Sequence, residues 1–297
     1  MNRLHTLLAA TDFSAPSRHA TQRAALLARD SSARLELLHV LETKTLDELR
    51  RIFGSDGVAL QERIRSQAHE ALAQLAANIG SPMAGEPGLH LVEGMELESI
   101  TAQADIMDAS LLIVGARGAS FMRHWLLGAT AERLLRKTLR PILVVKQHPH
   151  EAYRSVLVPV DFSAWSQNAI RLAQAVAPQA ELMLMHAFAV PLEGKLRFAG
   201  VEDDVIHRYR VEARQEALAR LHKVAADAGI GGENWRPILT HGDAAPRILA
   251  QEEEQGADLI VLGKHGTDML EELLLGSVTK HVLSQARCDV LVTCQEN

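Results

Sequence analysis

A glycine pattern that occurs twice at a fixed distance constrains this chain more than any other feature of its sequence. The spacing Gly-x2-Gly-x9-Gly is found at two places, and each glycine of the second set lies 148 residues after its counterpart: Gly115, Gly118 and Gly128, then Gly263, Gly266 and Gly276. Other stretches repeat to within one residue of that offset, such as the segments around Asp12 and Asp161. The 297 residues are therefore interpreted as two copies of one unit of roughly 145 residues, a common domain size.

The composition and charge of the chain indicate which classes of protein and partner to expect. Hydrophobic residues make up 47% of the chain, enough for two packed cores. The net charge of −6 argues against nucleic acid as the main partner, because phosphate backbones select basic surfaces. No apolar run approaches the roughly 20 residues of a membrane span, and the first residues lead directly into a predicted strand rather than a signal peptide. We expect a cytoplasmic protein with no membrane or nucleic-acid partner.

Within each copy, short apolar strands alternate with helical patterns. This order predicts an α/β fold in which each copy forms a doubly wound domain with a five-stranded parallel sheet. The expected boundaries are 1–147 and 154–297, joined by a short polar linker that contains His148-Pro149-His150. The helical pattern from about Thr43 to Ile79 is expected to break near Gly54 and Gly57. In the second copy, one helix is expected from about Val201 to Ala228.

The second glycine loop predicts a phosphate site. It follows the apolar run that ends at Leu262, and it leads into a helix, whose N-terminus carries free N–H groups and partial positive charge. Gly263 and Gly266 would let the backbone approach a ligand closely. Ser277 is interpreted as the N-cap of the helix and as a hydroxyl donor to phosphate. Lys264 and His265 could also face phosphate oxygens, whereas a long surface loop is the plainer alternative.

The first copy departs from this pattern in its last part. Ala129 stands where the second copy has Ser277, and Glu132 stands where it has Lys280. The backbone N–H groups survive these changes, but a hydroxyl is lost and a carboxylate is added. We interpret the first loop, with Gly115, Gly118 and Gly128, as a degenerate nucleotide loop.

Two acids lie at equivalent places in the copies. Asp12 and Asp161 each follow the first strand of their copy, and ligands of parallel sheets bind beyond the carboxyl ends of the strands. A carboxylate there can accept hydrogen bonds from ribose hydroxyls or bind a metal, although it could instead belong to a helix-entry turn. His39 and His186, at matched ends of the second strands, are interpreted as satisfied buried histidines. No Walker loop, dinucleotide fingerprint or nucleophile elbow is present.

These residues together resemble the universal stress protein family. Its ATP-binding signature, Gly-x2-Gly-x9-Gly-Ser/Thr, is matched by the second loop through Ser277. Further matches are the Asp after the first strand, the His near the end of the second strand, and the Gly-Asp before the third helix, which are here Asp161, His186, Gly242 and Asp243. The resemblance covers nearly the whole chain as a tandem of two such domains.

The resemblance implies ATP or ADP as the ligand, with Mg²⁺ left open, and a role as sensor or regulator in stress adaptation. It implies that, in the second copy, the adenine lies near Val160 and Ala187 and the ribose near Asp161. The phosphates would lie on Gly266, Gly276, Ser277 and Val278. It also implies pairing of the fifth strands within the chain as a pseudo-dimer, with a homodimer possible. The alternatives are a slow Mg²⁺-dependent ATPase, and a binding module for a non-nucleotide ligand in the first copy.

Overall fold

The chain has two α/β units. The computed structural model describes residues 4–79, 85–116, 127–231, 234–265 and 275–294. Contacts divide the chain into one unit of Met1–Ala152 with Arg287–Leu291 and a second of Tyr153–Ala286 with Val292–Asn297. The tandem of α/β units with parallel strands confirms the fold class predicted from the alternation of strands and helices.

The first unit contains a parallel sheet with the strand order β3-β2-β1-β4-β5. Its elements are β1 (Thr6–Ala10), α1 (Ala15–Ser31), β2 (Arg34–Glu42), α2 (Thr43–Phe53), α3 (Ser55–Ile79), β3 (Gly88–Gly94), α4 (Glu96–Ile106), β4 (Leu111–Gly115), α5 (Ala129–Lys137) and β5 (Ile142–Val145). The expected break in the long helical region lies at Gly54, whose φ of 56° is left-handed.

The second unit repeats this plan with the parallel order β9-β6-β7-β8, and the end of β10 lies beside β9, where Lys264 N–H donates to the Thr293 carbonyl at 3.0 Å. Its elements are β6 (Ser155–Pro159), α6 (Ala164–Val176), β7 (Glu181–Phe188), α7 (Glu193–Phe198), α8 (Asp203–Asp227), β8 (Trp235–His241), α9 (Ala244–Gln255), β9 (Leu259–Gly263) and α10 (Ser277–Gln285). The last strand, β10 (Asp289–Thr293), contributes its final two residues, Val292 and Thr293, to this unit.

The apolar strand runs form the centres of the two cores. The side chains of β4 and β9 are buried until the final glycine of each strand, as expected for strands covered by helices on both faces. In the second unit Leu259, Ile260 and Val261 are completely buried. Because the paired strands β1 to β5 and β6 to β9 run parallel, their carboxyl ends meet at one edge of each sheet, where the predicted site residues lie.

Three details of the second unit differ from the sequence interpretation. The short helix α7, Glu193–Phe198, was not predicted, and α8 begins two residues after the expected start. The N-cap of α10 is Gly276 and not Ser277, because the first helical hydrogen bond runs from Lys280 N–H to the Gly276 carbonyl at 2.9 Å. Ser277 is therefore the first residue of the helix.

Candidate functional site

A cavity of about 300 Å³ lies at the carboxyl end of the sheet in the second unit. It is bounded by the ends of β6, β7 and β9 and by the first turns of α6, α9 and α10. The structure brings together around it eight residues that were singled out from the sequence: Val160, Asp161, Ala187, Gly263, His265, Gly276, Ser277 and Val278. Gly266 lies outside the described residues.

Asp161 is held in one orientation by its own helix entry. Its Oδ1 accepts hydrogen bonds from Ser163 N–H at 3.0 Å, from the Ser163 hydroxyl at 2.5 Å and from the Ser166 hydroxyl at 2.6 Å. The helix-entry turn and the ligand contact considered from the sequence are thus compatible. All three bonds end on Oδ1, so Oδ2 is the oxygen that is available to a ligand.

His186 also lines the cavity, at the end of β7. Its Nδ1 donates to the carbonyl oxygen of Val160 at 2.7 Å, which defines the neutral tautomer with the proton on Nδ1. Burial lowers the pKa of His186 and outweighs the bond to Val160, which raises it; the Arg220 charge lowers the pKa further. The neutral ring packs against Phe162, with the ring centroids 4.3 Å apart.

Packing within the protein requires a glycine at position 263. A Cβ atom at this position would lie 2.7 Å from Cβ of Trp165, which is closer than real side chains approach. Its absence lets Trp165 of α6 lie against the end of β9, where the indole packs edge-on to the imidazole of His265 at 5.3 Å. Both rings line the cavity.

The start of α10 forms the remaining wall. Thr279 donates its hydroxyl to the Gly263 carbonyl at 2.8 Å, and Gly276 N–H donates to the Lys264 carbonyl at 3.0 Å. These bonds tie the first turn of the helix to the end of β9. The N–H groups of residues 277–279 precede the first bond of the helical ladder, so they are free to bind an acceptor in the cavity.

Two lysines that were considered from the sequence do not line this cavity. Lys264 is only 1% exposed, and Lys280 is exposed in the first turn of α10. The charge of Lys264 reaches Cys294, where it lowers the thiol pKa, but burial dominates and raises that pKa to about 11. Lys264 is therefore part of the packed interior at the end of β9. Of the neighbours Lys264 and His265, only His265 lines the cavity.

The sequence profile of the universal stress protein family matches residues 3–146 and again residues 152–293. The chain belongs to the universal stress protein family. The two matches also confirm the tandem organisation that was inferred from the repeated glycines.

Individual universal stress proteins resemble one copy or both. Universal stress protein YxiE of Bacillus subtilis is 31% identical over 47% of this chain and 98% of its own length. Universal stress protein Mb2019 of Mycobacterium bovis is 28% identical over 79% of this chain and 73% of its own length. The solved structure of a universal stress protein from Archaeoglobus fulgidus has a TM-score of 0.64 and covers 98% of both chains. Its identity is 18%, so this likeness shows the fold alone.

The first universal stress protein unit repeats several parts of this geometry. Asp12 Oδ1 accepts from Ser14 N–H at 3.0 Å, and His39 Nδ1 donates to the Thr11 carbonyl at 2.7 Å. A Cβ on Gly115 would lie 2.8 Å from the Pro16 carbonyl carbon, and Gly128 is the N-cap of α5. Gly118 lies outside the described residues.

Some features of these universal stress protein units were not found from the sequence. Phe13 and Phe162 have φ values of 63° and 65°, an unusual backbone conformation for a phenylalanine, at equivalent turns. The position directly after the matched Asp could have drawn attention to them. The contribution of Trp165 could not be inferred, because a tryptophan in the first turn of a helix carries no periodic signal for a cavity.

Two general findings concern metals and membranes. Within the described part of the chain, no three His, Cys, Asp or Glu side chains are grouped so that they could hold a metal ion. The same residues include no helix with the length and apolar character that a membrane crossing requires.

Proposed function

We propose that the second unit binds an adenine nucleotide and that this binding makes the chain a sensor or regulator in stress adaptation. The proposal is carried by one observation: the described residues expected to hold adenine, ribose and phosphate line a single cavity. The family resemblance implies ATP or ADP as the nucleotide, with Mg²⁺ left open. A cytoplasmic location also remains a prediction from the sequence.

The chemistry of the cavity supports each part of such a ligand. Val160 and Ala187 offer an apolar wall to a purine, and Asp161 presents its Oδ2 to ribose hydroxyls. The N–H groups at the start of α10 can donate to a phosphate oxygen, as helix N-termini commonly do. The cavity therefore combines an apolar surface, a hydrogen-bond acceptor and backbone hydrogen-bond donors, which are the three kinds of contact that an adenine nucleotide needs.

Calorimetric titration of the full chain tests this proposal. Adenine nucleotides should bind, guanine nucleotides should bind at least tenfold more weakly, and Gly276→Val should abolish the binding. The matched control is Gly128→Val, which changes the equivalent N-cap in the first unit and should leave binding to the second unit intact. Equal binding of both bases, or loss of binding only in the Gly128 variant, would contradict the proposal.

The two alternatives from the sequence are separated by further measurements. A slow ATPase would release phosphate from ATP in a reaction that Asp161→Asn abolishes. A non-nucleotide ligand in the first unit would be detected by mass spectrometry of molecules that copurify with the chain. No feature of the described residues favours either alternative over nucleotide binding in the second unit.

We also propose, from the sequence, the domain boundaries 1–147 and 154–297 and pairing of the two fifth strands within one chain. The support is the short linker and the apolar terminal strands, Ile142–Val145 and Val290–Val292. Pairing would protect two sheet edges from aggregation. A crystal structure with these strands on opposite outer edges would contradict it, and sedimentation would decide whether two chains form a homodimer.

A further inference from the structure

Three side chains of the second unit form a cluster beside the turn that carries Asp161. The Phe162 ring packs against the imidazole of His186, with the ring centroids 4.3 Å apart, and the guanidinium carbon of Arg220 lies over the same ring, 4.0 Å from its centroid. The described residues that line the cavity include Asp161 and His186 but neither Phe162 nor Arg220. Arg220 can therefore influence a ligand in the cavity through its neighbours rather than by direct contact.

The backbone at Phe162 needs contacts that hold it in place. Its φ of 65° lies in the left-handed region, which a bulky side chain seldom adopts unless its surroundings enforce it. Phe162 joins Asp161 to Ser163, whose N–H and hydroxyl both donate to Asp161 Oδ1. A change of φ at Phe162 would move Ser163 and break these bonds. Contacts that hold the Phe162 ring therefore also hold the Asp161 carboxylate.

The first unit has the same turn with a leucine in place of this arginine. Phe13 has a φ of 63°, and its ring lies 4.2 Å from that of His39. The helices α3 and α8 each have 25 residues and begin 148 residues apart, so Arg220 corresponds to Leu72. Leu72 is 1% exposed, whereas Arg220 is exposed. The cation is thus specific to the unit whose glycine loop matches the complete signature.

Arg220 also acts on His186. Burial is the main cause that lowers the pKa of this imidazole, and the Arg220 charge lowers that pKa further, against the opposing charge of Asp161. Neutral His186 donates from Nδ1 to the carbonyl oxygen of Val160 at 2.7 Å. Val160 precedes Asp161 and Phe162 follows it, so the cluster holds the residues on both sides of the carboxylate.

We propose that Arg220 is a positioning residue of the second-unit cavity, which acts through Phe162 and His186 to hold Asp161 in its ligand-binding orientation. This inference rests on the proposed function and adds a residue that lies outside the cavity wall. A cation above an aromatic ring is attracted by the negative face of the ring, and this attraction keeps the ring in place. Without the cation, Asp161 samples other orientations, and the nucleotide binds more weakly.

Titration calorimetry of the full chain with ATP tests the effect on binding. Arg220→Gln should weaken the binding that Gly276→Val abolishes by about fivefold. Arg220→Lys keeps the charge and should bind more tightly than the glutamine variant. The matched control is Arg214→Gln, which removes another exposed arginine from α8 and should bind as the wild type does. Arg220→Leu, with the residue of the first unit, is a second variant without the charge.

The outcomes separate this inference from the proposed function. If Arg220→Gln and Arg220→Leu bind ATP as tightly as the wild type, Arg220 is not a positioning residue, while the proposed function stands. If both weaken binding but Arg220→Lys is no better than Arg220→Gln, the charge is not the cause, which also overturns the inference. If the wild type binds no adenine nucleotide, the proposed function fails and the inference fails with it.

An NMR titration of the ligand-free chain gives a readout that a general loss of stability would not change. The imidazole signal of His186 is identified by its absence in His186→Gln, and thermal melting confirms that each variant is folded. The pKa of His186 should rise in Arg220→Gln, because a cation that lowers it is removed, and should stay near the wild-type value in Arg220→Lys. An unchanged or lowered pKa in folded Arg220→Gln would overturn the inference.

Discussion

His186 Nδ1 donates a 2.7 Å hydrogen bond to the carbonyl oxygen of Val160, which ties β7 to the residue that follows β6 at the edge of the cavity. The first unit has the same bond between His39 and Thr11, also at 2.7 Å. A histidine near the end of the second strand therefore holds the residue that precedes Asp161 in one unit and Asp12 in the other.

The burial of His186 predicts a pH-dependent contribution to stability. Burial lowers the pKa of His186 in the folded state from its ordinary value of 6.5, so the unfolded chain binds more protons below that pH. The stabilising effect of neutral His186 is therefore complete above pH 6.5 and is lost as the pH falls through the folded-state pKa. We expect His186→Gln to lower the free energy of unfolding by about 1 kcal/mol at pH 7.5.

Denaturant unfolding of both proteins between pH 7.5 and 5.5 measures this effect. The gap between wild type and His186→Gln should narrow as the pH falls, because only the wild type loses a neutral His186. A gap that stays constant, or that widens at low pH, would show that protonation of this ring is not linked to folding.

Substitutions of Gly276 and Ser277, at the start of α10, should have different effects on nucleotide binding. A Cβ on Gly276 would already lie 3.3 Å from the Lys264 carbonyl oxygen, so the branched side chain of Gly276→Val should displace the loop and abolish nucleotide binding. Ser277→Ala removes one hydroxyl that can bond a charged group, worth about 1.5–3 kcal/mol, and should weaken binding of ATP roughly tenfold or more.

Calorimetry with ATP and thermal melting together check this prediction. Because Gly276 is the N-cap, Ser277→Ala should leave the melting temperature nearly unchanged. If folded Gly276→Val binds as the wild type does, the phosphate is not held at this helix.

Trp165 should report on ligand binding. Its indole lines the cavity and packs on His265, whereas Trp235 packs on His222 away from the cavity. We expect ATP to change the tryptophan emission of the wild type, and Trp165→Phe to remove most of that change. Trp235→Phe is the matched control and should keep it. Loss of the signal in the control variant instead would indicate that the ligand binds elsewhere.

The two cysteines should be unreactive in the folded protein. Cys288 is 1% exposed and Cys294 is 6% exposed, and burial raises the pKa of Cys294 to about 11. Since the thiolate is the reactive form, iodoacetamide at pH 8 should modify neither residue within the time that labels both in denaturant. Rapid labelling of native Cys294, detected by mass spectrometry, would contradict this.

The sequence predicts the fold well because repetition and periodicity are strong signals. The glycine spacing identified two copies, and the buried runs of β4 and β9 followed from apolar residues at strand length. Asp161, Gly276 and Ser277 line the cavity, and the sequence could single them out because their positions relative to strand ends are set by local chain order. To predict these features, one needs only the order of the strands and helices and the rule that ligands of parallel sheets bind beyond the carboxyl ends of the strands.

The remaining features depend on side-chain packing that no local pattern encodes. Lys264 lies next to the cavity-lining residues Gly263 and His265 in sequence, but its side chain is buried and does not line the cavity. Gly263 resembled a glycine needed for a ligand, yet its missing Cβ also makes room for Trp165. The N-cap was expected at Ser277, because serine is a preferred capping residue, but the structure has it one residue earlier, at Gly276.

The most direct measurement is a crystal structure of the full chain grown with ATP. The account predicts electron density for one ATP in the cavity of the second unit, with the purine beside Val160 and Ala187, a ribose hydroxyl within hydrogen-bond distance of Asp161 Oδ2, and a phosphate at the first turn of α10. Crystals in which this cavity stays empty at saturating ATP, or in which ATP occupies only the first unit, would contradict it.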